Sequence, residues 1–176
     1  VFHDSPAWVS KDRFGFPDDL VSLYRFTETA GRDFDGGVQA WEFWNEQDAP
    51  NNLPGWVFAA AQKAAYLGFK AANPDLNVLV GSNCIHPTPR FMEIMMENGA
   101  GEYFDTYNFH VYKTVGEFKG IVAEKWAFLK RFGLDDKPMW ITENGCVTEG
   151  TARRDPILPG TRLREHDTQQ EYMQAD

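Results

Sequence analysis

Two glutamates stand where a pair of carboxylates could work together. Glu46 closes the run Trp41-Glu42-Phe43-Trp44-Asn45-Glu46, and Glu143 closes Trp140-Ile141-Thr142-Glu143 just before Asn144-Gly145. Each is a charged side chain directly after a short apolar, aromatic-rich run. A carboxyl group that holds its proton can act as a general acid, and an ionised one as a nucleophile or general base. A converging pair therefore suits cleavage of a glycosidic bond. One carboxyl donates to the leaving oxygen; the other attacks the anomeric carbon or activates water. A gap near ~5 Å gives retention of configuration, and a gap of roughly 6.5–9.5 Å gives inversion. Spacing along the chain leaves both outcomes open.

The elements that must position these residues follow from patterning. Gly36-Gly37 precede a strand over 38–44. An Ala-rich helix covers 54–72, opened by Pro54 and ended before Asn73-Pro74. A short buried strand over 77–80 stops at Gly81. Then come a helix over 88–98 closed by Gly99, a strand over 104–110, a helix over 115–132 closed by Gly133, and a strand over 138–142. Earlier, 18–30 reads as a helix and Val1-Phe2 as the tail of a strand; from His166 onward another helix begins. Strands alternating with helices imply a parallel sheet, either doubly wound or closed as a barrel. In both, sites form at the C-terminal ends of strands, where Glu46 and Glu143 lie. By the period of two, Glu143 shares a face with Ile141 and Met139, and Glu46 with Trp44, Glu42 and Ala40.

The 176 residues carry a net charge of −9, which argues against nucleic acid and anionic membrane partners. No run is long and apolar enough to span a bilayer. Aromatics make up 15%, with six Trp, a composition that fits packing or stacking on sugar faces. Cys84 and Cys146 show no zinc spacing and are expected as free, partly buried thiols. His3, His86, His110 and His166 show no ligand spacing, so neither metal nor cofactor is expected. The composition fits a secreted or a cytoplasmic protein. No GxGxxG or Walker motif supports a nucleotide-binding enzyme.

The motifs resemble those of clan A glycoside hydrolases. Trp41 to Glu46 looks like the fourth-strand Asn-Glu signature, and Thr142-Glu143-Asn144-Gly145 like the seventh-strand signature. His110-Val111-Tyr112 is similar to the sixth-strand His-x-Tyr, and Asp4-Ser5-Pro6-Ala7-Trp8 to the Ser-Pro-x-Trp loop after the third strand. Glu46 and Glu143 lie 97 residues apart, which suits three βα units. Within the clan, the run from Pro6 to Glu46 most resembles family 39, which includes β-xylosidases and α-L-iduronidases, and next family 5. The resemblance implies a (β/α)₈ barrel, with Glu46 as acid/base, Glu143 as nucleophile and retention of configuration. It places Asn45 at the sugar 2-hydroxyl, and His110 or Tyr112 beside Glu143. Residues 1–176 then form a partial catalytic domain, from the tail of the third strand to the seventh. The missing strands are expected from the rest of a parent protein.

Each residue also has a plainer role open to it. Glu42 reads as half of a structural ion pair inside the barrel. Trp44 and Trp140 fall within strands, where packing is the default. Trp8, in a loop, is the better candidate for sugar stacking. His110 can be a core histidine, Asn45 a turn residue, and His86 and Asn83 loop residues. The arginines at 153, 154, 162 and 164 lie in an irregular stretch and are expected to be solvated. The leading expectation is a retaining O-glycosidase acting on a β-linked glucan, xylan or related sugar. The alternative is a non-catalytic carbohydrate-binding or inactive fragment of the same fold.

Overall fold

A computed structural model describes residues 5–6, 9–10, 15–17, 19–49, 54–81, 83–84, 89–113 and 115–145. Among them four helices alternate with four strands: α1 (Leu20–Asp33), β1 (Ala40–Glu42), α2 (Gly55–Ala72), β2 (Asn77–Leu79), α3 (Phe91–Glu97), β3 (Tyr107–Val111), α4 (Val115–Arg131) and β4 (Met139–Asn144). The expected elements at Val1-Phe2 and from His166 onward lie outside the described residues, as do Trp8, His86, Cys146 and the four arginines.

Local chemistry sets the ends of these elements. Asp19 caps α1, accepting from Val21 N–H at 3.0 Å and from Ser22 Oγ at 2.6 Å. Pro54 sits ahead of α2 with φ −61°, and its missing N–H costs nothing there. Past α3 and α4, Gly99 and Gly133 take φ values of 73° and 69°. The next amides, of Ala100 and Leu134, return to Met95 and Leu129 carbonyls, so the open helix ends are satisfied.

β1 pairs with β2 and β3 with β4, both parallel. Single parallel bridges, Leu79 with Thr106 and Asn83 with Phe109, join the two pairs. The spatial order is therefore β1-β2-β3-β4, each strand beside its sequence neighbour. The apolar core lies between this sheet and the helices. Trp41 stacks on Phe69 of α2 at 5.2 Å and Phe43 on Phe58 at 5.8 Å. Val78, Tyr107, Phe109 and Val111 are buried in the same layer with Met95 of α3 and Leu129 of α4.

The opposite face carries polar side chains, Glu42, Asn108, His110 and Thr142. Helices on one face and a polar inner face are what a barrel wall looks like, whereas a doubly wound sheet carries helices on both. The molecule is an incomplete (β/α)₈ barrel.

Three strand expectations shift in detail. β1 ends at Glu42 rather than at 44, because Trp44 takes φ 73° and breaks the extended run. Trp44 turns away to pack edge-on against Phe16 at 4.6 Å, so it does not share the inner face with Glu42 and Glu46. β3 starts at Tyr107, and β4 runs on through Glu143 to Asn144. Trp140 is 43% exposed despite its place in β4: it pairs with Asn108, on the inner face, away from the helix layer.

Candidate active site

The inner face is built in two layers. In the lower, Asn108 Nδ2 donates to Glu42 Oε1 at 2.6 Å and to Thr142 Oγ1 at 3.1 Å, linking β1, β3 and β4. Asn108 is fully buried, held further by Asn83 Nδ2 on its carbonyl at 3.1 Å. Asn83 also donates to the Tyr107 hydroxyl at 3.3 Å, so it supports the sheet from behind.

The upper layer holds the residues singled out from the sequence. His110 follows Asn108 by two positions and keeps its inward direction. Its Nδ1 lies 3.1 Å from Glu46 Oε1 and 3.4 Å from Glu143 Oε2. One nitrogen thus touches both carboxylates, and their contacting oxygens are at most about 6.5 Å apart. Tyr112 OH donates to Glu143 Oε2 at 2.6 Å. The His110 side chain is 1% exposed, while those of Glu46 and Glu143 are 37% and 45% exposed. A buried imidazole fixes the carboxylates from below, and their outer parts face solvent. Of the two contacts, the one to Glu46 has hydrogen-bond geometry, with Nδ1 donating in the tautomer that carries its hydrogen there.

Glu143 reaches this place by a break in the ladder. Phe109 pairs with Ile141, but His110 pairs with Glu143, so Thr142 is an extra residue on β4. Without that bulge, Glu143 would follow Ile141 and Met139, which pack against the core. The simple alternation expected for this strand is therefore corrected: the bulge aims Glu143 inward, as Thr142 already points.

Glu46 is placed by a strained turn. Trp44 and Glu46 have φ values of 73° and 48°, a region that non-glycine residues rarely occupy. Ala49 N–H closes the turn onto the Glu46 carbonyl at 3.0 Å. Gln47 Nε2 donates to the Gly81 carbonyl at 3.1 Å, and the Cys84 N–H donates to Asp48 Oδ1 at 2.8 Å. Gly81 must be glycine: its φ is 86° and a Cβ there would lie 2.7 Å from the Phe43 carbonyl oxygen. Burial pushes the Asp48 carboxyl up to about 6.

Glu46, His110, Tyr112 and Glu143 are thus brought together, with Asn45 half-buried in the chain beside Glu46. Asn108, Gln47 and Asp48 escape sequence reading. For Asn108 a signal was available, since it lies two residues before His110 on the same strand face. Cys84 is buried, and Cys146 lies outside the described residues. Among the described residues, no group of three or more His, Cys, Asp or Glu could hold a metal, and no helix is long and apolar enough to cross a membrane.

A family model, glycosyl hydrolase catalytic core, matches residues 42–174. The match takes in both glutamates and the three strands from β2 to β4. The chain belongs to the glycosyl hydrolase catalytic core family. No curated protein matches it. Among solved structures, this glycosyl hydrolase core is similar to a glucosidase from Croceicoccus marinus, with a TM-score of 0.66 and 19% identity over 79% of this chain and 33% of that one. It is also similar to a chain from a structural study of two fungal β-1,4-galactanases, with a TM-score of 0.56 and 18% identity over 74% of this chain and 45% of that one. At these identities the likeness shows the fold. The chain spans less than half the length of either structure.

Proposed function

We propose that this chain carries the catalytic pair of a retaining O-glycoside hydrolase acting on β-linked sugars, a glucan, xylan or related chain. Glu143 is the nucleophile and Glu46 the acid/base. The observation that carries the reading is the His110 Nδ1 contacted by both carboxylates, which limits the two contacting oxygens, Glu46 Oε1 and Glu143 Oε2, to a gap of about 6.5 Å at most. That bound supports the closer spacing used for double displacement over the wider gap, roughly 6.5–9.5 Å, that admits a water. The clan A motifs and the two glycosidases of similar fold point the same way.

The chemistry proceeds in two steps. In the first, Glu143 attacks the anomeric carbon and the bond to the leaving oxygen breaks. Glu46 gives its proton to that oxygen, and a glycosyl-enzyme ester forms. In the second, water attacks the same carbon, Glu46 takes its proton, and Glu143 leaves as carboxylate. Tyr112 and His110 both contact Oε2 of Glu143, which leaves Oε1 to attack. Asn45 hydrogen-bonds the 2-hydroxyl, and Trp8 stacks on a sugar face. The reaction belongs to the complete barrel, whose remaining strands come from the parent protein.

The test uses that complete-barrel protein on a panel of aryl β-glycosides. Turnover that falls by about 10³-fold or more in Glu143→Gln supports the reading. Full activity in Glu143→Gln, or no turnover of any substrate by the parent, contradicts it.

A further inference from the structure

We propose that Asp48 is a positioning residue for Glu46: its carboxyl, when neutral, latches the strained turn after β1 to the segment after β2. The proposal rests on Glu46 being the acid/base, but the latch itself is read from separate observations.

The turn that presents Glu46 is not held by its own backbone preferences. Two of its non-glycine residues, Trp44 and Glu46, sit at positive φ. Such a geometry persists only where surrounding contacts over-determine it. Two side chains supply those contacts, from residues directly after Glu46. Gln47 reaches the Gly81 carbonyl and Asp48 receives the Cys84 N–H, both wholly buried. The turn is thereby tied at two points to the chain that continues from β2.

The Asp48 tie depends on its protonation state. Its second oxygen, Oδ2, is buried and has no hydrogen-bond partner among the described residues. Asn83 Oδ1 is also buried and without a donor among the described residues, and both residues lie beside a cavity of about 290 Å³ behind β3. A proton on Asp48 Oδ2 turns that acceptor into a donor and removes a buried charge. An ionised Asp48 instead buries a charge whose donors, the Cys84 N–H, its own backbone N–H and the Cys84 thiol, do not offset its desolvation. The charged and titratable groups around it are Lys125 and Glu124 on α4, Arg90 and Glu93 at the start of α3, Tyr107 on β3 and the Cys84 thiol. Lys125 favours the ionised form of Asp48, but desolvation outweighs it. The neutral carboxyl therefore fits this site near and below pH 6, and the tie weakens above it.

The experiment separates Asp48 from Glu46 by removing the Glu46 titration. In the complete-barrel protein carrying Glu46→Gln, the Asp48 carboxyl ¹³C shift and the exchange rate of the Cys84 amide are followed by NMR from pH 4.5 to 8. The expected result is a single titration of Asp48 near pH 6, with Cys84 protection falling at least tenfold across it. In Asp48→Asn the protection should be flat with pH. The same variant should move the alkaline limb of kcat to higher pH with KM little changed. Should Asp48→Asn fail to fold, the Glu46→Gln titration decides alone. An Asp48 that is already ionised at pH 4.5, or Cys84 protection independent of pH, overturns the latch. If Glu46→Gln keeps full glycosidase activity, the acid/base assignment fails while the titration still reports on the latch.

Discussion

Glu143 faces His110 across the β3–β4 ladder because the pairing skips Thr142. One extra residue converts a position that alternation would send into the helix layer into one at the strand mouth. Thr142 keeps the inward direction of Trp140, two residues before it, and receives Asn108 at 3.1 Å. The upper layer, at the site, thus depends on a single irregularity in β4.

Tyr112 makes the shortest contact to Glu143, 2.6 Å from OH to Oε2. A hydrogen bond to a charged group contributes about 1.5–3 kcal/mol, or roughly 10–100-fold in rate. Tyr112→Phe should lower kcat by that factor with KM close to the parent value. Steady-state kinetics on an aryl β-glycoside measures it; unchanged kcat would show that Tyr112 does not support the nucleophile.

His110 should matter to both chemical steps, since its Nδ1 contacts both carboxylates. His110→Ala is expected to slow formation and hydrolysis of the glycosyl-enzyme alike, by about 10–100-fold each. Stopped-flow kinetics with a dinitrophenyl glycoside separates the two steps. A defect confined to one step would mean that only one contact is used.

Asn108 is a structural test. Asn108→Leu keeps the size but removes the donors to Glu42 and Thr142. The loss should destabilise the fold by about 2–3 kcal/mol, read by urea denaturation. A change within ~0.5 kcal/mol would show that the lower layer is not a structural tie.

Asp48 predicts a direction for stability against pH. Its carboxyl is raised from 3.8 to about 6 in the folded protein. A raised carboxylate stabilises fully below its unfolded value, and that contribution is lost as pH rises through the folded value. The parent should therefore lose about 2 kcal/mol relative to Asp48→Asn between pH 4 and pH 7.5. Surface carboxylates act in the opposite sense at lower pH. Glu93, held below its usual range by Arg131 and Arg90, loses its contribution as pH falls through its lowered value. Denaturation of both proteins at several pH values isolates the Asp48 term; parallel curves would contradict it.

Much of this arrangement was legible in the sequence because its signals are local. Pro54, Gly99 and Gly133 mark helix ends through their own backbone chemistry, and α2 falls within a residue of its expected span. Glu46, His110, Tyr112 and Glu143 announce themselves by type at strand ends. What escaped are features set by distant chain. Asp48 meets Cys84 across 36 residues and Gln47 meets Gly81 across 34, and no periodicity encodes such contacts. The bulge at Thr142 and the left-handed Trp44 and Glu46 escaped for a related reason. Alternation assumes an unbroken strand, and neither run carries the glycine that usually signals a break.

The most direct test of the central claim is covalent trapping. The complete-barrel protein is incubated with an activated 2-deoxy-2-fluoro-β-glycoside, which lets the glycosyl-enzyme form but slows its hydrolysis, and the labelled peptide is sequenced by mass spectrometry. The account predicts one sugar per chain, attached to Glu143. A sugar on any other residue, or turnover of the parent substrate with inversion and no adduct, would contradict it.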